Sequence, residues 1–247
     1  MSCASSYVSS YENLENPLDL YAYFEPLIPF NNEIDLLRKI YIKELQNSGA
    51  KNVLDIGCGS GEFLLILNEL GISAIGADLS AKMVEIARVK GVNAICIDLE
   101  DIQDNFDALT AVFDVVNYIA PKNLVNFFKA AKNRLNKNGV FIFDINTLYG
   151  FEEIACGSLA LENDEIFSAA RSEFMDNIFI TKFDLFFKRE DQSYIRKNFI
   201  IKQFYHNDRD IKNALKSAGF TQIESYFLNL YQGAKPDKKL FIGSAIS

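Results

Sequence analysis

Residues 53–61 read VLDIGCGSG: an acid, Asp55, closes an apolar run, and Gly57, Gly59 and Gly61 follow at alternate positions around Cys58 and Ser60. Glycine lacks a Cβ and accepts positive φ, so a loop of this kind lets backbone approach a ligand closely. Two ligand chemistries use a strand, a glycine turn and a helix in this way. The dinucleotide fingerprint G-x-G-x-x-G needs a glycine at position 62, where this chain has Glu62, and a carboxylate there would face two phosphates. A ligand without phosphates meets no such conflict. Other polar residues also close apolar runs: Asp78 ends AIGAD, Asp98 ends ICID, Asp114 and Asn117 leave FDALTAVFDVVN, and Asn146 ends FIFDIN.

The elements that would position these groups can be read from apolar spacing. In residues 31–49, Ile34, Leu37, Tyr41 and Leu45 share one helical stripe and Gly49 is a stop. Short apolar runs then alternate with helices: NVLDI, 61–70, SAIGAD, 80–90, NAICI, FDALTAVFDVV, 121–137 and GVFIFDI. Runs apolar on both faces are those of a parallel sheet covered by helices on both sides. Ser80 suits an N-cap, Pro121 a first helical turn, and Gly71, Gly91 and Gly139 the left-handed position after a helix. In such a sheet ligands bind beyond the carboxyl ends of the strands, which gathers Asp55, Asp78, Asp98, Asp114, Asn117 and Asn146 on one edge.

The pattern changes near residue 150. Phe179, Thr181, Phe183, Leu185 and Phe187 alternate, as do Ile195, Phe199, Ile201 and Tyr205, which predicts two antiparallel strands joined around REDQS. A helix with Ile211, Leu215 and Ala218 on one stripe follows, then strands at about 221–229 and 239–246.

Composition narrows the possible roles. The 247-residue chain is 49 % hydrophobic, enough for a sizeable core, and has no run of the roughly 18 apolar residues that a membrane helix needs. Its start lacks a basic, then apolar, leader, so a cytoplasmic location is expected. Cys3, Cys58, Cys96 and Cys156 are scattered, as free thiols rather than a disulfide framework or a metal site. A net charge of −8, with the densest basic cluster only Lys235, Lys238 and Lys239, disfavours nucleic acid as a partner.

On these residues the chain resembles the class I S-adenosylmethionine-dependent methyltransferases, whose first motif is acid-x-G-x-G-x-G. The resemblance covers most of the chain. It implies a three-layer Rossmann-like α/β fold: a mostly parallel seven-stranded sheet with an antiparallel last strand, plus an antiparallel β insertion at about 151–205 over the substrate mouth. Residues 1–49 would form a helical lid and 50–247 the methyltransferase domain. The implied cofactor is S-adenosylmethionine, held by Asp55, Gly57, Cys58, Gly59 and Gly61, with Asp78 and the adjoining Leu79 at its ribose. A strand-end carboxylate can accept both ribose hydroxyls. Asp98 would meet the adenine amino group and the Leu99 backbone N–H a ring nitrogen.

Asp114 either faces the reaction centre or caps its strand. Tyr11, Tyr21 and Tyr23 either cover the cofactor or pack against the core. The expected acceptor is a small molecule, with Asn117, Tyr118 and Asn146 at its site. Arg171 and Arg196 are either anion ligands or solvated strand-face charges. Alignment of two bound reactants can supply about 7–11 kcal/mol, so no conspicuous catalytic group is required. If the acceptor must lose a proton, His206 and Tyr118 are the candidates, although a lone histidine between strand and helix also serves as a cap. A cofactor-binding protein without chemistry and a nicotinamide-dependent oxidoreductase are the competing functions; Glu62 argues against the second.

Overall fold

The computed structural model describes residues 14–244. Helix α1 (Pro17–Phe24) is capped by the side chain of Asn16, which accepts from Leu18 N at 3.0 Å. Helix α2 (Asn31–Ser48) buries the stripe Leu37, Tyr41 and Leu45 and ends at Gly49, φ 72°, as its spacing predicts.

Strands β1 (Asn52–Ile56), β2 (Ser73–Asp78), β3 (Ala94–Cys96), β4 (Phe106–Ala111) and β5 (Leu135–Asn146) alternate with α3 (Glu62–Glu69), α4 (Ala81–Val89) and α5 (Leu124–Asn133). After α6 (Asp208–Ala218), β10 (Gln222–Leu228) and β11 (Lys238–Ser244) complete a seven-stranded sheet in the order β10-β11-β5-β4-β1-β2-β3. The pairings β1–β2, β1–β4, β2–β3 and β4–β5 are parallel, while β11 runs antiparallel to both neighbours. Apolar clusters lie on both faces of this sheet, one with α2 and α3, the other with α5 and α6. This is the expected three-layer α/β fold.

Two boundaries differ from expectation. The fourth strand stops at Ala111 because Phe113 and Asp114 adopt φ of 62° and 53°, and Val115–Tyr118 coils into a 3-10 turn. Helix α5 begins only after a 3-10 turn at Pro121–Asn123 and ends at Asn133, since Leu135 already pairs with Phe106 in β5.

The insertion is a four-stranded antiparallel sheet, not two strands: β6 (Gly157–Glu162), β7 (Ile166–Met175), β8 (Ile178–Lys188) and β9 (Tyr194–Phe204). The predicted alternation in β8 is real, with Phe179, Thr181, Phe183, Leu185 and Phe187 buried on one face. That face packs against Leu20 and Phe24 of α1. The Phe24 and Phe183 rings meet at 4.8 Å and 72°, and full burial of such a side chain is worth about 1.5–3 kcal/mol. No helix among the described residues is long and apolar enough to cross a membrane.

Candidate active site

The turn after β1 is held from two sides. Gly57 N and Cys58 N both donate to the Ala77 carbonyl, at 2.7 and 3.2 Å, and Gly59 N donates to Asp78 Oδ2 at 2.8 Å. The other oxygen of Asp78 accepts from Ser80 N at 2.8 Å. The acid closing β2 therefore lies against the middle glycine of the loop. Burial raises its carboxyl pKa, and these N–H bonds oppose the shift.

The three glycines have φ of 69°, 53° and 81°, and they differ in what surrounds them. A Cβ at Gly57 would strike Val115 Cγ2 at 2.7 Å, and one at Gly61 would strike Val92 and Ala87 behind the helix. At Gly59 the one atom within 4 Å is a carboxylate oxygen of Glu25, at 3.3 Å. Gly59 thus faces outward from the core, toward the segment that follows α1. The same segment is anchored by Asp19, which accepts from Ser80 Oγ at 2.6 Å and Lys82 N at 3.0 Å at the start of α4. Ser80 in turn caps α4 through Met83 N, as its position predicts.

Asp55 is buried and accepts from Thr110 Oγ1 at 2.6 Å; burial pushes its pKa up to about 7. Between about pH 4 and 7 the folded protein holds a proton there that the unfolded chain, at the usual carboxylate value of about 3.9, has released. Stability therefore falls as pH rises through that window, by up to about 1.4 kcal/mol per unit, and is level above it. Asp55→Asn keeps an acceptor for Thr110 and is expected to flatten that slope. Urea unfolding of both proteins at pH 5 and 7 checks this: a stability difference that is the same at the two pH values contradicts it.

The exit of β4 carries a buried network. Phe113 N and Asp114 N donate to the two oxygens of Asp144, at 2.9 and 3.0 Å, which fixes the left-handed pair. Tyr41 Oη donates to Asp144 Oδ1 at 2.7 Å. Lys238 Nζ lies 2.6 Å from Asp114 and 2.8 Å from Asp144, and Gln203 of β9 donates to the other oxygen of Asp114. Of the two readings of Asp114, its contacts match the structural one: both its oxygens are engaged.

Asn117 is fully buried, with its amide donating to the Phe204 carbonyl at 2.8 Å and accepting from Asn146 N at 2.9 Å, so it ties the insertion to the sheet. His206 is 3 % exposed, with Nε2 3.0 Å from the Ile119 carbonyl, and burial lowers its pKa. It holds the turn that carries Tyr118.

Tyr118 is 37 % exposed as a residue, yet its phenol feels Tyr21, Asp114, Asp78 and Glu25; burial first, then these groups, put its pKa well above the ordinary value. Tyr21 is raised likewise by burial, Glu25 and Asp114, and its ring packs edge-on against Phe183. The structure therefore gathers Asp55, the glycines, Cys58, Asp78, Tyr21, Asp114 and Tyr118 around one strand edge.

The remaining predicted residues lie beside this edge or away from it: Leu79 directly follows Asp78, and Asp98 follows Ile97, whose N–H donates to the Asp78 carbonyl at 3.1 Å. Asp98 is exposed and accepts from Glu100 N at 3.2 Å, Leu99 is buried in the turn it caps, and Leu79 is 56 % exposed. Tyr23 packs its ring on Phe187. Of the two readings of Arg171 and Arg196, their placement matches the solvated strand-face charge: both are exposed on the face of the insertion opposite α1, where Arg196 Nη2 pairs with Asp184 at 2.7 Å. Tyr11 lies outside the described residues.

Four contributors were not read from the sequence: Asp19, Glu25, Arg38 and Lys238. Arg38 on α2 approaches the Phe113 ring at 5.8 Å, its charge bears on Asp55 and Glu25, and its buried Nε has no acceptor.

The comparisons with known proteins agree with this geometry. Residues 53–139 match the family model described as a methyltransferase domain. A protein of Geobacillus sp. (strain WCH70), named provisionally as a methyltransferase, is 29 % identical over 196 residues, covering 74 % of this chain and 79 % of its own. A solved S-adenosylmethionine-dependent methyltransferase from Clostridium acetobutylicum ATCC 824 superposes with a TM-score of 0.75 at 22 % identity, covering 94 % of this chain and all of its own. The sugar N-methyltransferase KedS8 from Streptoalloteichus sp ATCC 53650 gives 0.73 at 22 %, covering 95 % and 94 %. These two likenesses show a shared fold.

Proposed function

We propose that this chain, which belongs to the class I S-adenosylmethionine-dependent methyltransferases, transfers the methyl group to a small-molecule acceptor at the edge formed by Asp55, Asp78 and the β4 exit. The residues present fit the cofactor: Gly59 leaves the cradle open where a Cβ would fill it, Asp78 stands beside that opening, and Arg38 offers a donor without a partner. The cofactor, when bound, supplies a methyl already activated by a sulfonium charge. In this reading Asp78 takes the ribose hydroxyls, the loop from Gly57 to Gly61 supports the nucleoside, and Asp98 with Leu99 lies at the base.

What is left to the chain is alignment and exclusion of water, and alignment alone can supply about 7–11 kcal/mol. Tyr21 and Tyr118 are poor bases to begin with, because their raised pKa keeps both protonated at neutral pH; they serve as walls and hydrogen-bond donors. His206 stays neutral and spends a ring nitrogen on the Ile119 turn. The acceptor accordingly brings its own lone pair or releases its proton to water.

The observation that supports the small-molecule reading is the insertion sheet docked beside the strand edge. Helix α1 packs on that sheet, and Gln203 and Asn117 tie it to the β4 exit, so the sheet stands next to the strand edge instead of leaving it bare. The acidity of the chain also disfavours nucleic acid. Incubation with S-adenosylmethionine and separate panels of small amines, sugars, phenols and transfer RNA, read as S-adenosylhomocysteine release and a one-methyl mass gain, tests it. Turnover of a small acceptor is expected, and turnover confined to RNA would overturn it.

Asp78→Ala is expected to weaken S-adenosylhomocysteine binding by about 1.5–3 kcal/mol, through loss of a charged acceptor. Unchanged affinity in a calorimetric titration would remove Asp78 from the ribose.

A further inference from the structure

We propose that the methyl acceptor is an aliphatic amine whose N–H is received by the side-chain carbonyl of Gln203, an amide that Asp114 holds in one sense. The inference rests on the methyltransferase reading above. It adds the reacting element, nitrogen, and the side chain that meets it.

Gln203 lies on the buried face of β9 and is 7 % exposed. Its Nε2 donates to Asp114 Oδ2, while Lys238 Nζ is 2.6 Å from Oδ1 of the same carboxylate. A carboxylate paired with an ammonium accepts and does not donate, so the amide cannot turn over without losing that bond. Gln203 Oε1 is thereby kept off Asp114, and among the described residues it accepts no hydrogen bond. Nor is it sealed in: the fully enclosed side-chain atoms without a partner are Arg38 Nε, Ser168 Oγ and Asp237 Oδ1. Its neighbours have nothing to spare. Ser172 and Thr181, on the same face of the sheet, bond to each other at 2.9 Å, and both ends of the Asn117 amide are engaged. Only the hydroxyls of Tyr21 and Tyr118 are likewise open near Asp114, whose charge bears on both.

The same surroundings select nitrogen. A hydroxyl or thiol acceptor must become an anion or lose its proton to a base as it attacks. Here both tyrosines stay protonated and His206 is spent on the Ile119 turn. An anion would also meet Asp78, Asp114 and Glu25, whose charges all bear on Tyr118. The nearby cations are fewer: Arg38 acts on Glu25, and Lys238 is shared between Asp114 and Asp144. An amine meets neither obstacle. It is drawn in as an ammonium and gives one proton to water. One remaining N–H then binds Gln203 Oε1, and the nitrogen lone pair bonds to the methyl carbon as the C–S bond breaks. That electron pair stays on sulfur, which becomes neutral, and the methylated ammonium carries the charge away.

The test is turnover, with S-adenosylmethionine, of primary and secondary aliphatic amines beside alcohols of the same carbon frame, such as cyclohexylamine with cyclohexanol and glucosamine with glucose. Tyramine, which carries an amine and a phenol, is the internal competition, its methyl located by mass fragmentation. Methylation of amines and of the tyramine nitrogen is expected, with none of the alcohols. Gln203→Met should raise KM for the best of these amines about 10-fold or more and leave S-adenosylhomocysteine affinity within about 2-fold. Loosening of the sheet would instead lower kcat and cofactor affinity, so the split separates a contact from a mere tie. Methyl on the tyramine oxygen, turnover confined to alcohols or to none of the probes, or an unchanged amine KM in Gln203→Met would overturn the amine assignment. Continued S-adenosylhomocysteine binding by the wild type would then leave the cofactor reading intact. A wild type that neither binds S-adenosylhomocysteine nor turns over any probe overturns both.

Discussion

Lys238→Met is expected to lower folding stability by about 3–5 kcal/mol, because it removes one partner of a buried ion-pair network. The ammonium is 7 % exposed as a residue and bridges Asp114 and Asp144, the second of which is fully buried. Methionine matches its length but leaves two carboxylates facing each other without a counter-charge. Asp144 holds Phe113 and Asp114 at positive φ through their N–H groups, so the floor of the site should loosen with it.

Burial alone would lower the pKa of this lysine; the two carboxylates more than reverse that and raise it. Its contribution is therefore complete below the unfolded value of about 10.4 and is lost only as pH rises through the higher folded value, so no pH dependence from Lys238 is expected between pH 5 and 9. Guanidinium unfolding of the wild type and Lys238→Met at neutral pH checks the magnitude. A difference under about 1 kcal/mol would show that the bridge is dispensable.

Gly59→Val should abolish detectable cofactor binding while the protein stays folded. The substitution places a branched side chain at φ 53°, which costs roughly 1–2 kcal/mol in a left-handed conformation, and its Cβ would enter the space between the loop and Glu25. Gly71 is the internal comparison. Its φ of 74° carries the same strain, but nothing lies within 4 Å of an added Cβ there. Gly71→Val should therefore lose similar stability and keep full affinity for S-adenosylhomocysteine. Equal affinities for the two variants would mean that Gly59 matters only for backbone geometry.

Much of this site was legible because its parts are close in sequence. The strand, the turn and the helix that frame Gly57, Gly59 and Gly61 form one local unit, and Asp78 closes the next strand, so residue types and spacing bring them together without knowledge of the rest. The Lys238 network was not legible for the opposite reason. Its ammonium meets Asp114 across 124 positions, and in the sequence Lys238 sits in a basic cluster that reads as solvated charge. Arg38 and Glu25 likewise look like ordinary exposed positions of amphipathic helices until α1 folds back.

The insertion was half legible. β8 and β9 alternate large apolar side chains with polar ones, whereas the stretch Ser168, Ala169, Ala170 in β7 is too small to show a period. The strand at residue 106 seemed to continue through VFDVV because left-handed φ at Phe113 and Asp114 leaves no mark in an apolar run; only the carboxylate of Asp144 imposes it.

A crystal structure of the protein with S-adenosylhomocysteine tests the central claim most directly. The account predicts the ribose hydroxyls within hydrogen-bonding distance of the Asp78 carboxylate and the nucleoside lying across Gly57–Gly61 beneath Glu25. A nucleoside bound elsewhere, with the Asp78 carboxylate still closed on Gly59 and no ligand against it, would contradict it.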